Sequence, residues 1–125
     1  MGKLKEMRLY GTTDASGDLT VNGTQAVFGR LYAVRWLDTG LDACTATITT
    51  QGHDASATLL TLTAVNATAT YYPREAVSDN TGSALTVTED SATHGLPLMA
   101  GVPRLVIASG GDSNLGGCIL FYFED

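Results

Sequence analysis

Val102-Pro103-Arg104-Leu105-Val106-Ile107-Ala108-Ser109, then Gly110 to Gly117, then Cys118-Ile119-Leu120-Phe121-Tyr122-Phe123 is the stretch on which the fold turns. Two short apolar runs, rich in β-branched and aromatic residues and bounded by Gly-Gly pairs, predict a β-hairpin joined by a polar loop. Their apolar residues do not alternate with polar ones, so both faces of these strands are expected to be covered. That places the hairpin in the middle of a sandwich or barrel, with Glu124-Asp125 marking its exit to solvent.

Working outward, the same kind of signal recurs about every ten residues. Gly29-Arg-Leu-Tyr-Ala-Val-Arg-Trp-Leu37 predicts a core strand with Tyr32, Val34 and Trp36 on one face and Leu31, Ala33, Arg35 and Leu37 on the other. Residues 43 to 50 alternate Ala and Ile with Thr up to a loop at Gln51 to Ser56. Leu59 to Thr63 and Ala67 to Tyr72 then form an expected pair, the second ended by Pro73, which has no N–H to offer a ladder. Asp14-Ala-Ser-Gly-Asp18 and Asn22-Gly23 are turn signals that make residues 10 to 28 read as a small meander. Arg74 to His94 is polar, with a turn at Asp79-Asn-Thr-Gly82 and a modest strand at Leu85 to Thr88, as in a variable surface excursion. The spacing predicts an all-β, single-domain antiparallel β-sandwich or barrel, jelly-roll-like, over residues 11 to 125. Residues 3 to 13 alternate basic or polar with apolar side chains, and the first ten residues stand apart from the domain. They form either an edge strand or an N-terminal arm that orders against a partner.

Composition agrees. At 125 residues the chain is one domain that buries roughly two-thirds of its unfolded surface without staples. Its 14 glycines and only 16% charged residues disfavour helix and suit short strands. Thirteen acidic against seven basic side chains give a formal charge of −6, and the basic ones are scattered beyond the N-terminal segment, so no direct nucleic-acid partner is expected. Residues 1 to 8 lack the apolar core of a signal peptide, and no apolar run is long enough to span a bilayer. The chain is therefore expected to be made in the cytoplasm, away from membranes, with Cys44 and Cys118 as reduced, buried, small apolar residues.

Catalytic constellations are scarce. Asp38-Thr39-Gly40 matches the Asp-Thr-Gly signature of aspartic proteases, in which two such aspartates share a proton and a chain of this size would dimerise. The same triplet after a strand is a common turn, and the Leu41-Asp42 that follows is not the small residue usual in those enzymes. Gly110 to Gly117 lacks the Lys-Ser/Thr of a phosphate loop and reads as a flexible hairpin tip. Its Asp112-Ser-Asn114 lacks the further carboxylates of a calcium site. His53 and His94 have no ligand at zinc spacing and read as exposed loop histidines. No catalytic residue, metal or cofactor is expected. Tyr71 and Tyr72, before Pro73-Arg74, form either an exposed platform for a partner or a glycan, or an ordinary strand-end pair.

The succession Gly29 to Trp36, Leu59-Leu-Thr-Leu-Thr63, Tyr71-Tyr-Pro-Arg74, Leu96-Pro-Leu98, Pro103 to Gly111 and Gly117 to Phe123 resembles small β-rich virion proteins of tailed bacteriophages. The resemblance covers residues 29 to 123, with Tyr-Tyr-Pro-Arg and the last two strands as its most specific parts. It implies a decoration, or cement, subunit on the capsid surface that binds the lattice of the major capsid protein. A head-tail connector or tail component is the alternative, and a dimeric aspartic protease using Asp38 the remote one. On that footing the docking residues are expected in the segment Lys3, Leu4, Lys5, Met7, Arg8, Leu9 and Tyr10, with Tyr71, Tyr72 and Arg74 as further contacts. Deleting residues 1 to 9 is expected to abolish docking and leave the fold intact. Self-association is expected along the sides of the sandwich, as a trimer.

Overall fold

The computed structural model describes residues 3–51, 56–76, 86–88, 91–92 and 94–124. The expected turn at 79–82 and His53 lie outside them, as does the side chain of His94. The strands, in chain order, are β1 (Lys3–Thr12), β2 (Leu19–Asn22), β3 (Val27–Asp38), β4 (Cys44–Gln51), β5 (Ser56–Val65), β6 (Ala69–Tyr71), β7 (Glu75–Ala76), β8 (Thr86–Thr88), β9 (Ser91–Ala92), β10 (His94–Gly95), β11 (Leu98–Ala108) and β12 (Leu115–Glu124). No helix occurs among the described residues. The protein is all-β, with eight strands in one antiparallel sheet of order β1-β12-β3-β11-β4-β5, to which β2 adds on β11 and β6 on β3. Small ladders join β7 to β10 and β8 to β9.

The sheet folds over into a sandwich because β11 belongs to both layers. Its first residues, Leu98 to Gly101, pair with β3, whereas Val102 to Ala108 pair with β4 and Arg104 to Ile107 also with β2. Pro103 sits at the changeover. Its lack of an N–H falls between the end of the β3 ladder at Gly101 and the start of the β2 ladder at Arg104, where no ladder bond is lost.

The expected terminal hairpin is not formed. β11 and β12 are consecutive but do not pair. β12 lies between β1 and β3 in one layer, and most of β11 lies between β2 and β4 in the other. The Asn-Gly turn and the step from β5 to β6 behave alike, since β2 pairs with β11, β5 with β4 and β6 with β3. Within the eight-stranded sheet only β4 and β5 join as sequence neighbours. Glycines and polar residues let a chain reverse, but the reversal can cross between layers as readily as stay in one.

Four such arches, residues 13–18, 39–43, 66–68 and 109–114, gather at one end of the sandwich; the first, second and fourth hydrogen-bond to one another, and Thr68 of the third accepts the Asp38 N–H at 2.9 Å. Thr13, buried, donates its main-chain N–H to the Asn114 carbonyl at 2.9 Å; its hydroxyl donates to the Gly111 carbonyl and accepts the Asn114 N–H. Gly110 N–H donates to Gly17 O at 2.8 Å, and Asp42 N–H to Gly110 O at 3.0 Å. The stretch expected to be a flexible tip is thus tied down. Close approach demands glycine at Gly116, where a Cβ would run into the side chain of Leu41 that closes this end of the core.

Inside, Trp36, Tyr122, Leu9, Leu31, Ile48, Leu105, Ile107 and Leu120 are wholly buried. Each apolar side chain of this size contributes about 1.5–3 kcal/mol on burial. Met7 and Leu9 belong to this core, and β1 pairs with β12 along its whole length, from Lys3 opposite Glu124 to Thr12 opposite Leu115. The N-terminal segment is therefore an edge strand of the sandwich. Its removal would open the core, contrary to the expectation that the fold survives without it.

Candidate functional site

The outward face of the β1-β12-β3 layer carries several of the exposed large apolar side chains, Leu4, Phe28 and Tyr32 among them. Its shape follows from one irregularity. Phe121 stands opposite Ala33 and Tyr122 opposite Leu31, so Tyr32 is the extra residue of a β-bulge. Before the bulge Val27 and Leu31 point into the core, and after it Val34 and Trp36 do. Tyr32, expected on the Trp36 face, is instead turned outward and remains 40% exposed.

Around Tyr32 an aromatic group assembles. Its ring meets Phe123 edge-on at 5.8 Å between centroids and Tyr72 at 6.0 Å. The Arg74 guanidinium lies 5.7 Å from the Tyr32 ring centre and 5.9 Å from that of Tyr72, and it donates a 2.9 Å hydrogen bond to the Tyr32 carbonyl. Phe28, further along β3, is 62% exposed, and Tyr72 is 58% exposed. Leu4, opposite Phe123 in the β1–β12 ladder, extends the face to the sheet edge and is also exposed.

The residues of β12 explain why the sequence predicts cover on both sides. Phe121 and Phe123 are apolar yet point outward, and the described residues cover them only in part. On β11 Val106 likewise points outward and is exposed. Strands composed for two covered faces have one covered face among the described residues.

Tyr71 and Tyr72 part company: Tyr71 packs partly buried against the core, and Tyr72 and Arg74 join the outer face. Of the N-terminal group, Leu4 and Arg8 lie on that face opposite Phe123 and Ile119, and Arg8 stacks 4.5 Å above the Tyr10 ring. Lys3 is exposed near the open edge, and Lys5 is bound to Glu124 at 2.5 Å. Met7 and Leu9 are core residues and offer a partner no side chain.

Asp38 spends its Oδ1 on the N–H groups of Gly40, at 3.4 Å, and Leu41, at 3.1 Å, so that Asp-Thr-Gly shapes the β3–β4 arch. Thr39 Oγ1 bonds the Leu115 carbonyl at 3.0 Å and the Tyr10 hydroxyl at 2.6 Å. Cys44 and Cys118 are free and buried. Burial pushes the Cys118 thiol up to about 12. Burial, and then the nearby Asp38 and Asp42 carboxylates, raise that of Cys44. Among the described residues no group of His, Cys, Asp or Glu is arranged to hold a metal ion. Likewise, no described helix is long and apolar enough to cross a membrane. A separate open groove of about 320 Å³ lies where β5 turns into β6, lined by Leu62, Ala64, Asn66, Ala69 and Tyr71 among others.

The outward position of Tyr32 had no signal in the sequence, because a bulge depends on how two strands far apart in the chain pair. No family model, no curated protein and no solved structure matches the chain.

Proposed function

We propose that the chain is a bacteriophage virion structural protein, a capsid decoration protein that binds the major capsid protein lattice and stabilises the mature head. One observation carries this reading: the outer face built by Leu4, Phe28, Tyr32, Tyr72 and Phe123 is apolar and only partly covered in the single chain. Contiguous apolar patches rimmed by polar residues mark surfaces that become buried against another protein. Aromatic residues with an Arg among them are the usual centre of such contacts. A subunit that binds only the assembled lattice stabilises that lattice by mass action. The sequence resemblance over residues 29 to 123 and the acidic, β-rich composition support the same role at the capsid surface. The engagement of Asp38 with its own arch supports the turn reading of Asp-Thr-Gly over a protease.

The test is the copy number of this chain per purified phage particle, by quantitative mass spectrometry against the major capsid protein. Hundreds of copies are expected. A dozen or fewer would move the protein to the connector or tail, and absence from the particle would overturn the reading.

A further inference from the structure

We infer that two copies of this chain associate about a two-fold axis through their β1 edges, in the one register that sets Glu6 of each copy against Arg8 of the other. Among the described strands none pairs with the outer edge of β1, so its backbone groups there are open to another strand. The inference does not depend on the capsid reading, and its occupant is a second copy of this chain.

The sequence of β1 selects the register. Alternate residues of the strand face opposite ways: Leu4, Glu6, Arg8 and Tyr10 lie on the outer face, and Met7 and Leu9 point into the core. Two antiparallel copies keep their cores on the same side only when the axis passes through a residue, because a shift of one residue flips every side chain. An axis at Lys5 places Lys5 against Lys5. An axis at Glu6 places Glu6 against Glu6, and one at Arg8 places Arg8 against Arg8. Each sets like charges directly opposite, which is destabilising. An axis at Leu9 puts Glu6 against Thr12 and leaves both charges unmatched.

An axis at Met7 differs from all of these. Glu6 then faces Arg8 twice, Leu4 faces Tyr10 twice, and Lys5 faces Leu9. Glu6 and Arg8 are both exposed, and neither has an ion-pair partner among the described residues of its own chain. Lys5, the one charged residue of this strand that would meet an apolar neighbour, already has its charge matched by Glu124. The same pairing joins the two outer faces into one surface, since Leu4 borders the Tyr32, Tyr72 and Phe123 group in each copy. The result is a two-fold dimer, in place of the trimer expected from sequence, with two aromatic patches on one side.

Sedimentation equilibrium of the isolated full chain tests this without any capsid. The wild type is expected to form dimers at micromolar concentration. Glu6→Arg sets like charges opposite each other twice and should raise the dimer dissociation constant by about tenfold or more. Glu6→Arg combined with Arg8→Glu restores two opposite-charge pairs and should return the constant to near the wild-type value. Both positions are exposed, and thermal melts will show each variant folded. A wild type that stays monomeric at high micromolar concentration, a trimer, a Glu6→Arg variant that dimerises as well as wild type, or a folded double variant without recovery would each overturn the inference. Loss of capsid binding with an intact dimer would count against the proposed function alone.

Discussion

Tyr32 meets Phe123 edge-on, with ring centres 5.8 Å apart and planes at 71°, and it does so as the residue left unpaired by the bulge between β3 and β12. The bulge thus converts a residue that strand alternation would bury into the centre of an exposed aromatic group. Tyr72 completes the group from the segment after β6.

Phe28→Ala removes an exposed ring and should change the unfolding free energy by less than about 1 kcal/mol, and Tyr72→Ala, which breaks one ring contact with Tyr32, should cost about 0.5–1.5 kcal/mol. The same variants should bind purified capsids at least about tenfold more weakly, as truncations within an interface core do. Tyr32→Ala also breaks two ring contacts, each worth about 0.5–1.5 kcal/mol, so its urea midpoint should fall as well. Urea denaturation and co-sedimentation with capsids separate the two effects.

Thr13 links the first and last arches through one buried hydroxyl. Thr13→Val keeps the shape and leaves the Gly111 carbonyl and the Asn114 N–H without that partner. Stranding a buried group in this way costs about 1–3 kcal/mol. Thr13→Ser, which keeps the hydroxyl, should lose clearly less in the same denaturation experiment.

The Cys118 thiol is raised from its ordinary 9.0 to about 12 by burial, so the folded state holds its proton where the unfolded state has released it. The contribution of this group is complete below pH 9 and disappears as pH rises toward 12, so unfolding free energy should fall across that window. At pH 8 the native protein should resist iodoacetamide at both cysteines, and unfolding in urea should expose both, as read by intact mass. Cys118→Ala should flatten part of the alkaline decline.

Deleting residues 1 to 9 removes Met7 and Leu9 from the core and bares the edge of β12. The truncated chain should lose its cooperative thermal transition or aggregate, whereas Lys3→Ala and Leu4→Ala, both at exposed positions, should melt near the wild type. Circular dichroism and light scattering distinguish these outcomes.

The positions of the strands were legible because Thr, Val, Ile and aromatic runs between Gly and Asp signals mark them directly, and Trp36 does lie at the core. What the strands pair with was not legible. Gly110-Gly111 announces a reversal after Ala108 equally well whether β12 returns beside β11 or crosses to the other layer. The choice is made by contacts such as Thr13 with Asn114, which are 101 residues apart in sequence and invisible to any local window. The candidate face was half legible: the unbroken apolar character of Phe121 to Phe123 signals a second covered face, and Tyr72 and Arg74 stand on it. Tyr32 was hidden by its bulge, and the N-terminal strand left two readings open because alternation alone does not say whether the neighbouring strand belongs to the same chain.

The full-length ladder between β1 and β12 also sets the order of events during synthesis. β1 finds its partner only after β12 has been made, and β3 waits for the same strand. Such long-range pairing folds slowly, because loop closure must precede the contacts that reward it. While the ribosome is still translating β12, Met7, Leu9 and Trp36 have no complete layer to enter, and the nascent chain is at its most prone to stray association.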